Sequence, residues 1–260
     1  VRIALGIEYD GSPYEGWQTQ PHGRTVQDVL ERALASFANE SLASICAGRT
    51  DTGVHASGQV VHFDTQRERE EQSWVRGVNR YLPPSVSIQW ARVVTEEFDA
   101  RHRARARHYE YWIWNHPVRS ALLDRRVGWV FRPLDIDAMR AAARHALGEH
   151  DFSSLRSAQC QAATAVRTVS RCDVDRIGGS LIRIRASANA FLHHMVRNLV
   201  GALIAVGTGR QSSAWLGELI AARDRTLGAP TMEAEGLYLT GVEYDPRFGL
   251  PHVEERWMLR

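Results

Sequence analysis

The chain has 260 residues, a formal net charge of +2 and 44% hydrophobic residues. That is the make-up of a soluble globular protein with room for one large domain or two of about 130 residues. No apolar run reaches the roughly 18 residues that span a bilayer. None of the 32 basic residues is lysine, which excludes a Schiff base, a pyridoxal phosphate lysine and a P-loop lysine.

A GC-rich codon bias is the simplest reason for the missing lysine. Its consequence is that every cation is a planar, bidentate phosphate binder that also stacks on bases. The weak overall charge says little about nucleic acid by itself. The three cysteines, Cys46, Cys160 and Cys172, are odd in number and form no C-x-x-C pair. This argues against a disulfide framework or a zinc ribbon and fits a reducing cytoplasm. The expected location, on the cysteines, is cytoplasmic; the opening Val1-Arg2-Ile3-Ala4-Leu5 lacks the apolar core of a signal peptide.

In chain order, residues 2–9 alternate as a strand and Asp10-Gly11-Ser12-Pro13 breaks it. Thr25 reads as an N-cap with Asp28 completing a carboxylate form of the capping box. The apolar spacing that follows predicts an amphipathic helix over 26–38. A strand near 42–47, a second over 58–65, a charged turn at 66–72, a helix over 74–82 stopped by Pro83-Pro84, and a strand over 86–94 follow. The order is β-α-β-β-α-β, the ferredoxin-like pattern. The second half is expected to repeat this loosely, with strands at 107–115, 164–175, 180–188 and 236–244. Helices are expected at 135–147, 191–206 and 213–223.

Between the second and third strands lies Ala47-Gly48-Arg49-Thr50-Asp51-Thr52-Gly53-Val54-His55-Ala56. Nothing periodic runs through it, and its two glycines permit a tight path. It reads as a loop that presents Asp51. A guanidinium two positions away keeps a carboxylate ionised, which suits a nucleophile or charge stabiliser over a general acid. The alternative is an Asx-turn whose aspartate bonds its own backbone.

Near residues 95–105 the boundary between the halves is expected. Arg101, Arg103, Arg105 and Arg107 there occupy every other position. In an extended chain their guanidiniums point one way, roughly 6.6 Å apart, a pitch suited to a phosphate backbone. The competing reading is a solvated edge strand. The row runs into Tyr109, Tyr111, Trp112 and Trp114, where aromatics beside a basic strip can stack unpaired bases. Trp112 and Trp114 are expected in the core. On the 191–206 helix, His194, Arg197, Asn198 and Gly201 share one stripe, and Arg197 needs an anion. Adjacent His193 and His194 point about 100° apart on a helix, without a carboxylate or cysteine at ligand spacing, so no metal is expected.

Four stretches resemble the tRNA pseudouridine synthase A family. They are Gly48 to Ala56, Phe98-Asp99-Ala100-Arg101-His102 with Tyr109 beyond, Asn189 to Asn198, and Ala234-Glu235-Gly236-Leu237-Tyr238-Leu239. They fall in the family's order and cover nearly the whole chain. The resemblance implies an α+β fold of two ferredoxin-like, RRM-like halves with antiparallel sheets and a cleft between them. The expected domains are 1–100, carrying the aspartate loop, and 101–260, completing the site.

It also implies isomerisation of uridine to pseudouridine at positions 38–40 of the tRNA anticodon stem-loop, without a cofactor, by a homodimer. Asp51 matches the nucleophile and Tyr109 the tyrosine that stacks on the target base. Arg49 matches the residue that fills the space of a flipped base, and Arg197 the partner of the aspartate. Phe98, Asp99, Ala100, Arg101, His102, Arg103 and Arg105 fall in the tRNA-contact region, as do Gln159, Cys160 and Gln161. Two departures stand out. Thr52 replaces a frequent alanine, and Ala162-Ala163 stand where a basic residue is expected. Competing readings are an aspartic protease, disfavoured by the lack of a second D-[TS]-G, and a non-catalytic RNA-binding protein of paired ferredoxin-like domains.

Overall fold

Thr25 starts the first helix in the way its sequence predicts. Its side chain accepts the Asp28 N–H, and the Asp28 carboxylate accepts the Thr25 N–H at 3.1 Å. Burial opposes ionisation of Asp28, but the hydrogen bonds from Thr25 outweigh it and leave the carboxyl below its usual range. The helix then buries Val26, Leu30, Ala33 and Leu34 on one face. The computed structural model describes residues 1–251.

The elements in chain order are β1 (Arg2–Tyr9), α1 (Val26–Ala38), β2 (Ile45–Cys46), β3 (His55–Asp64), α2 (Glu71–Asn79) and β4 (Val86–Val94). Next come β5 (Ala106–Asn115), β6 (Gly128–Val130), α3 (Ile136–Ala143), β7 (Gly148–Asp151), β8 (Val166–Gly178) and β9 (Leu181–Ala188). The series ends with α4 (Met195–Gly207), α5 (Trp215–Ala222) and β10 (Leu237–Glu243). None of these helices is long and apolar enough to cross a membrane.

The chain clusters into two units: Val1–Arg107 together with the chain from Tyr238 on, and His108–Leu237. In the first unit β1 lies between β4 and β3, antiparallel to both. The other edge of β3 takes β2 antiparallel at Val61 and His62, and β10 parallel at His55 and Ala56. The order β4-β1-β3-β2 is what a β-α-β-β-α-β chain with split crossovers forms. Purely antiparallel sheets were expected, and the parallel β3–β10 pair corrects that. Its cause is the return of the chain from Tyr238, which no single cut in the sequence near residue 100 describes. The unit's core gathers Ile3, Leu5, Leu30, Phe63 and Trp74.

In the second unit β5, β9, β8 and β7 follow one another, and the pairs β7–β8 and β8–β9 are antiparallel. The short β6 pairs parallel with β5. β6 and β7 have only three and four residues, too short for a periodic signal, and neither was anticipated. Tyr111, Trp112 and Ile113 are all fully buried, so both faces of β5 are packed there. Gly128 and Gly236 make room for Tyr111: a Cβ on either would lie within 2.6 Å of its ring or hydroxyl. The glycine of the 234–239 motif is thereby explained by packing.

Several helix boundaries differ from expectation. α2 starts at Glu71 and ends at Asn79, several residues before the prolines. α4 starts at Met195, because His194 adopts a left-handed conformation with φ 63° that ends any helix running in from residue 191.

Candidate active site

Residues 47–54 form neither helix nor strand, and backbone groups of Ala47, Gly48, Thr50, Asp51 and Val54 are tied down. Ala47 N–H donates to Val60 O at 2.8 Å. The Gln59 side chain accepts the Gly48 N–H at 3.3 Å and donates to Gly48 O at 2.6 Å. Thr50 O accepts the Trp17 N–H at 2.9 Å, and the Thr50 hydroxyl lies 2.8 Å from the Tyr9 hydroxyl. Asp51 O accepts the Val54 N–H at 3.1 Å, closing a turn with Gly53 at φ 81° in its third position, as a type II turn requires.

The segment after β1 presses on the same loop. A Cβ on Gly11 would sit 2.0 Å from Val54 O, and one on Gly16 would sit 3.0 Å from Thr50 O. Behind the turn His55 is buried and stacks on Tyr238 with ring centroids 4.6 Å apart, while its Nδ1 accepts the Gly11 N–H at 3.0 Å. The result is a braced loop with Asp51 half-buried and Arg49 exposed. Cys46 lies beneath it, buried, and burial pushes its thiol up to about 12. It therefore offers no thiolate at neutral pH.

The arginine segment departs from its expected form. Residues 101–103 form a turn rather than a strand. The cause is Asp99, whose carboxylate accepts the N–H groups of Arg101 at 2.8 Å and His102 at 2.7 Å. Burial opposes ionisation of Asp99, but those two bonds outweigh it and its carboxyl stays below the usual range. The four guanidiniums therefore do not form one row. Arg101, His102, Arg103 and Arg105 remain exposed, with Arg103 on Glu97 O at 3.1 Å and Arg105 paired with Asp245.

Arg107 turns inward onto backbone carbonyls, including that of Ala47. Phe98 and Ala100 are fully buried and present nothing to a ligand. Phe98 packs on His62, Tyr244 and Phe248, and the Ala100 peptide is held by His62 Nδ1 at 3.0 Å and the Tyr244 hydroxyl at 2.6 Å. The expected contact segment thus divides into a buried anchor and an exposed basic turn.

In the second unit Tyr109 is half-buried on β5 and meets the edge of Phe191 at 5.1 Å between ring centroids. Trp112 is buried as expected, with the Arg183 guanidinium 5.8 Å from its ring centroid, and Trp114 is half-buried. Arg197 Nε donates to Met232 O at 2.8 Å. Asn198 and Gly201 of the expected α4 stripe also serve residues 225–232. Asn198 Oδ1 accepts from Arg225 at 3.0 Å and Thr231 at 2.6 Å, and Gly201 lets Pro230 O approach where a Cβ would lie at 2.2 Å. The His193 and His194 rings lie 4.0 Å apart. Gln159 and Gln161 are exposed in a loop and Cys160 is half-buried there. The loop is anchored by the Ser157 N–H to His193 O at 2.9 Å.

Gln59, Tyr9, Gly11 and Gly16 build this loop but are absent from the candidate site residues of the sequence, and Arg107, expected in the phosphate row, braces the loop instead. Gln59 is fully buried on β3, and a buried polar side chain requires internal partners.

A model of tRNA pseudouridine synthases matches residues 6–102 and 142–245. The tRNA pseudouridine synthase A of Bordetella parapertussis is 59% identical over 260 residues, covering 99% of this chain and 96% of its own. That of Burkholderia vietnamiensis is 57% identical over 254 residues, covering 98% and 94%. Among solved structures, a chain of the archaeal box H/ACA sRNP Nop10–Cbf5 complex covers 90% of this chain with 46% of its own length. Its TM-score is 0.37 at 12% identity, and at that score it carries no argument. The model match and these identities over almost the full length place the chain in the tRNA pseudouridine synthase A family, the enzymes that isomerise uridine to pseudouridine in tRNA.

Proposed function

We propose that the chain acts at positions 38–40 of the anticodon stem-loop, with Asp51 as nucleophile. The observation that carries the reading is the braced 47–54 loop, which presents one half-buried carboxylate from a rigid frame. Preorganisation of this kind is what a reaction with no spare reorganisation energy needs. The reaction breaks the C1′–N1 bond, turns the uracil and joins C5 to C1′. Asp51 serves by attack at C6, by attack at C1′ or by removing a sugar proton.

The target base must leave its stack, at a cost of a few kcal/mol. Arg49, exposed beside Asp51 on the same loop, is proposed to fill the vacated space. Tyr109 is proposed to stack on the uracil and Arg197 to orient the aspartate; both roles rest on the sequence motifs. The exposed residues Arg101, His102, Arg103 and Arg105, with Asp99 shaping their turn, are proposed to hold the tRNA backbone. Gln159, Cys160 and Gln161 are proposed to make further contacts. A homodimer in the cytoplasm belongs to the same reading, and the three free cysteines fit that compartment.

The test is tritium release from [5-³H]uridine-labelled tRNA with EDTA present, by the wild type and Asp51→Asn. Release by the wild type alone, with tRNA still bound by both, supports the reading; turnover by Asp51→Asn would sink it. Arg49→Ala should slow turnover far more than it weakens binding. Equal loss of both would count against a role in flipping.

A further inference from the structure

Arg107 was expected in the phosphate-binding row, yet its guanidinium is committed elsewhere. Nε and Nη2 donate to Ala47 O at 3.3 and 2.9 Å. Nη2 also donates to Arg101 O at 2.8 Å, and Nη1 to Ala104 O at 3.3 Å. These four hydrogen bonds occupy four of the roughly five N–H donors that a guanidinium has. Ala47 is the root of the Asp51 loop, and its N–H is already fixed on Val60 O of β3. Arg101 and Ala104 bracket the exposed basic turn. One planar group therefore spans both segments.

We propose that Arg107 is a positioning residue for the isomerisation: it locks the Asp51 loop in register with the basic turn that holds the tRNA backbone. It acts through Ala47 and Arg101, not by touching the substrate. A displacement of about 1 Å far from the chemistry can cost a hundredfold in rate, so a tie at the loop's root matters to turnover. Lysine cannot replace it, because a compact ammonium cannot reach three carbonyls in one plane. The inference rests on the assignment of Asp51 as nucleophile.

The experiment compares wild type, Arg107→Lys, Arg107→Ala and Asp51→Asn. Arg67→Lys serves as a control for the loss of carbonyl capping, since Arg67 Nε donates to Ala38 O at 3.1 Å at the end of α1. Single-turnover rate, tRNA Kd with its salt dependence, and Tm are measured for each, well below the lowest Tm. Both Arg107 variants should lose about 10- to 100-fold in rate, with Kd and salt slope unchanged, while Arg67→Lys keeps its rate.

An unchanged rate overturns the proposal. So does a raised Kd with a shallower salt slope, which would make Arg107 a phosphate contact. A rate loss matched by Arg67→Lys at equal loss of Tm overturns it as well, as a merely structural effect. Turnover by Asp51→Asn would overturn the assignment of the nucleophile instead, and so separates the two failures.

Discussion

Gln59 grips both sides of one residue: its amide accepts the Gly48 N–H at 3.3 Å and donates to Gly48 O at 2.6 Å. The side chain is fully buried, while Gly48 itself is half-buried. Its Nε2 also lies 3.5 Å from the Tyr9 hydroxyl, which in turn meets Thr50. A single amide on β3 thus fixes the entry to the Asp51 loop and supports the Tyr9–Thr50 contact inside it.

Replacing Gln59 with leucine should leave the Gly48 N–H and carbonyl without these partners. Each unsatisfied buried group costs roughly 1–3 kcal/mol, so urea denaturation should show a loss of about 2–6 kcal/mol. Gln59→Glu should be worse than its shape implies, because a carboxylate oxygen would face the Gly48 carbonyl. Unchanged midpoints for both would mean that the loop has another support.

Much of the first unit was legible in the sequence because its signals are local. The Thr25–Asp28 cap, the 26–38 apolar face and the alternation of β1 and β4 each lie within one element, and the structure has those elements at those places. The bounds of α2 and α4 were not legible. A left-handed His194 is set by the surrounding packing, and no propensity of histidine announces it. The parallel β3–β10 pair joins residues far apart in sequence. Asp51 was legible as a loop carboxylate, whereas the inward turn of Arg107 was not. Alternation predicts direction only in an extended chain, and the Asp99 bonds bend this one.

Arg101 is exposed on the basic turn, so its removal should act on binding alone. Removing one phosphate contact makes the log–log salt slope shallower by about 0.7 on single strands and about 0.9 on duplex. Arg101→Ala should weaken tRNA binding and flatten the slope by about that amount, with the rate of the bound complex preserved. Filter binding across a potassium chloride series reads both. A uniform loss of affinity at constant slope would remove Arg101 from the phosphate contacts.

A glycine-to-alanine change inside a helix usually stabilises it by about 1 kcal/mol. Gly201→Ala should do the opposite. Its Cβ would meet the Pro230 carbonyl at 2.2 Å, and overpacking of this kind costs typically about 1–3 kcal/mol. The forced shift would also move Met232 relative to Arg197, so turnover should fall together with Tm. A higher Tm would show that residues 225–232 can yield.

His62 gives stability a pH dependence whose sign can be worked out. It is 2% exposed, and burial holds its imidazole below the ordinary value of 6.5. Asp99 pulls the other way, Arg2 adds to the lowering, and Asp64 opposes it. Nδ1 accepts the Ala100 N–H at 3.0 Å, a bond that the doubly protonated ring cannot make. The folded state therefore keeps His62 neutral at pH values where the unfolded chain already binds a proton. Stability from this group is whole above about pH 6.5 and is lost as pH falls from there toward the lowered folded value. Because Ala100 anchors the turn that carries Arg101, tRNA affinity of the folded protein should hold through this window and weaken only as pH reaches the lowered folded value. Denaturant midpoints between pH 8 and 5, on the order of half-unit steps, would trace this loss for the wild type. His62→Gln, which keeps an acceptor but does not titrate, should flatten it. An equal slope in both proteins would assign the acid sensitivity to other groups.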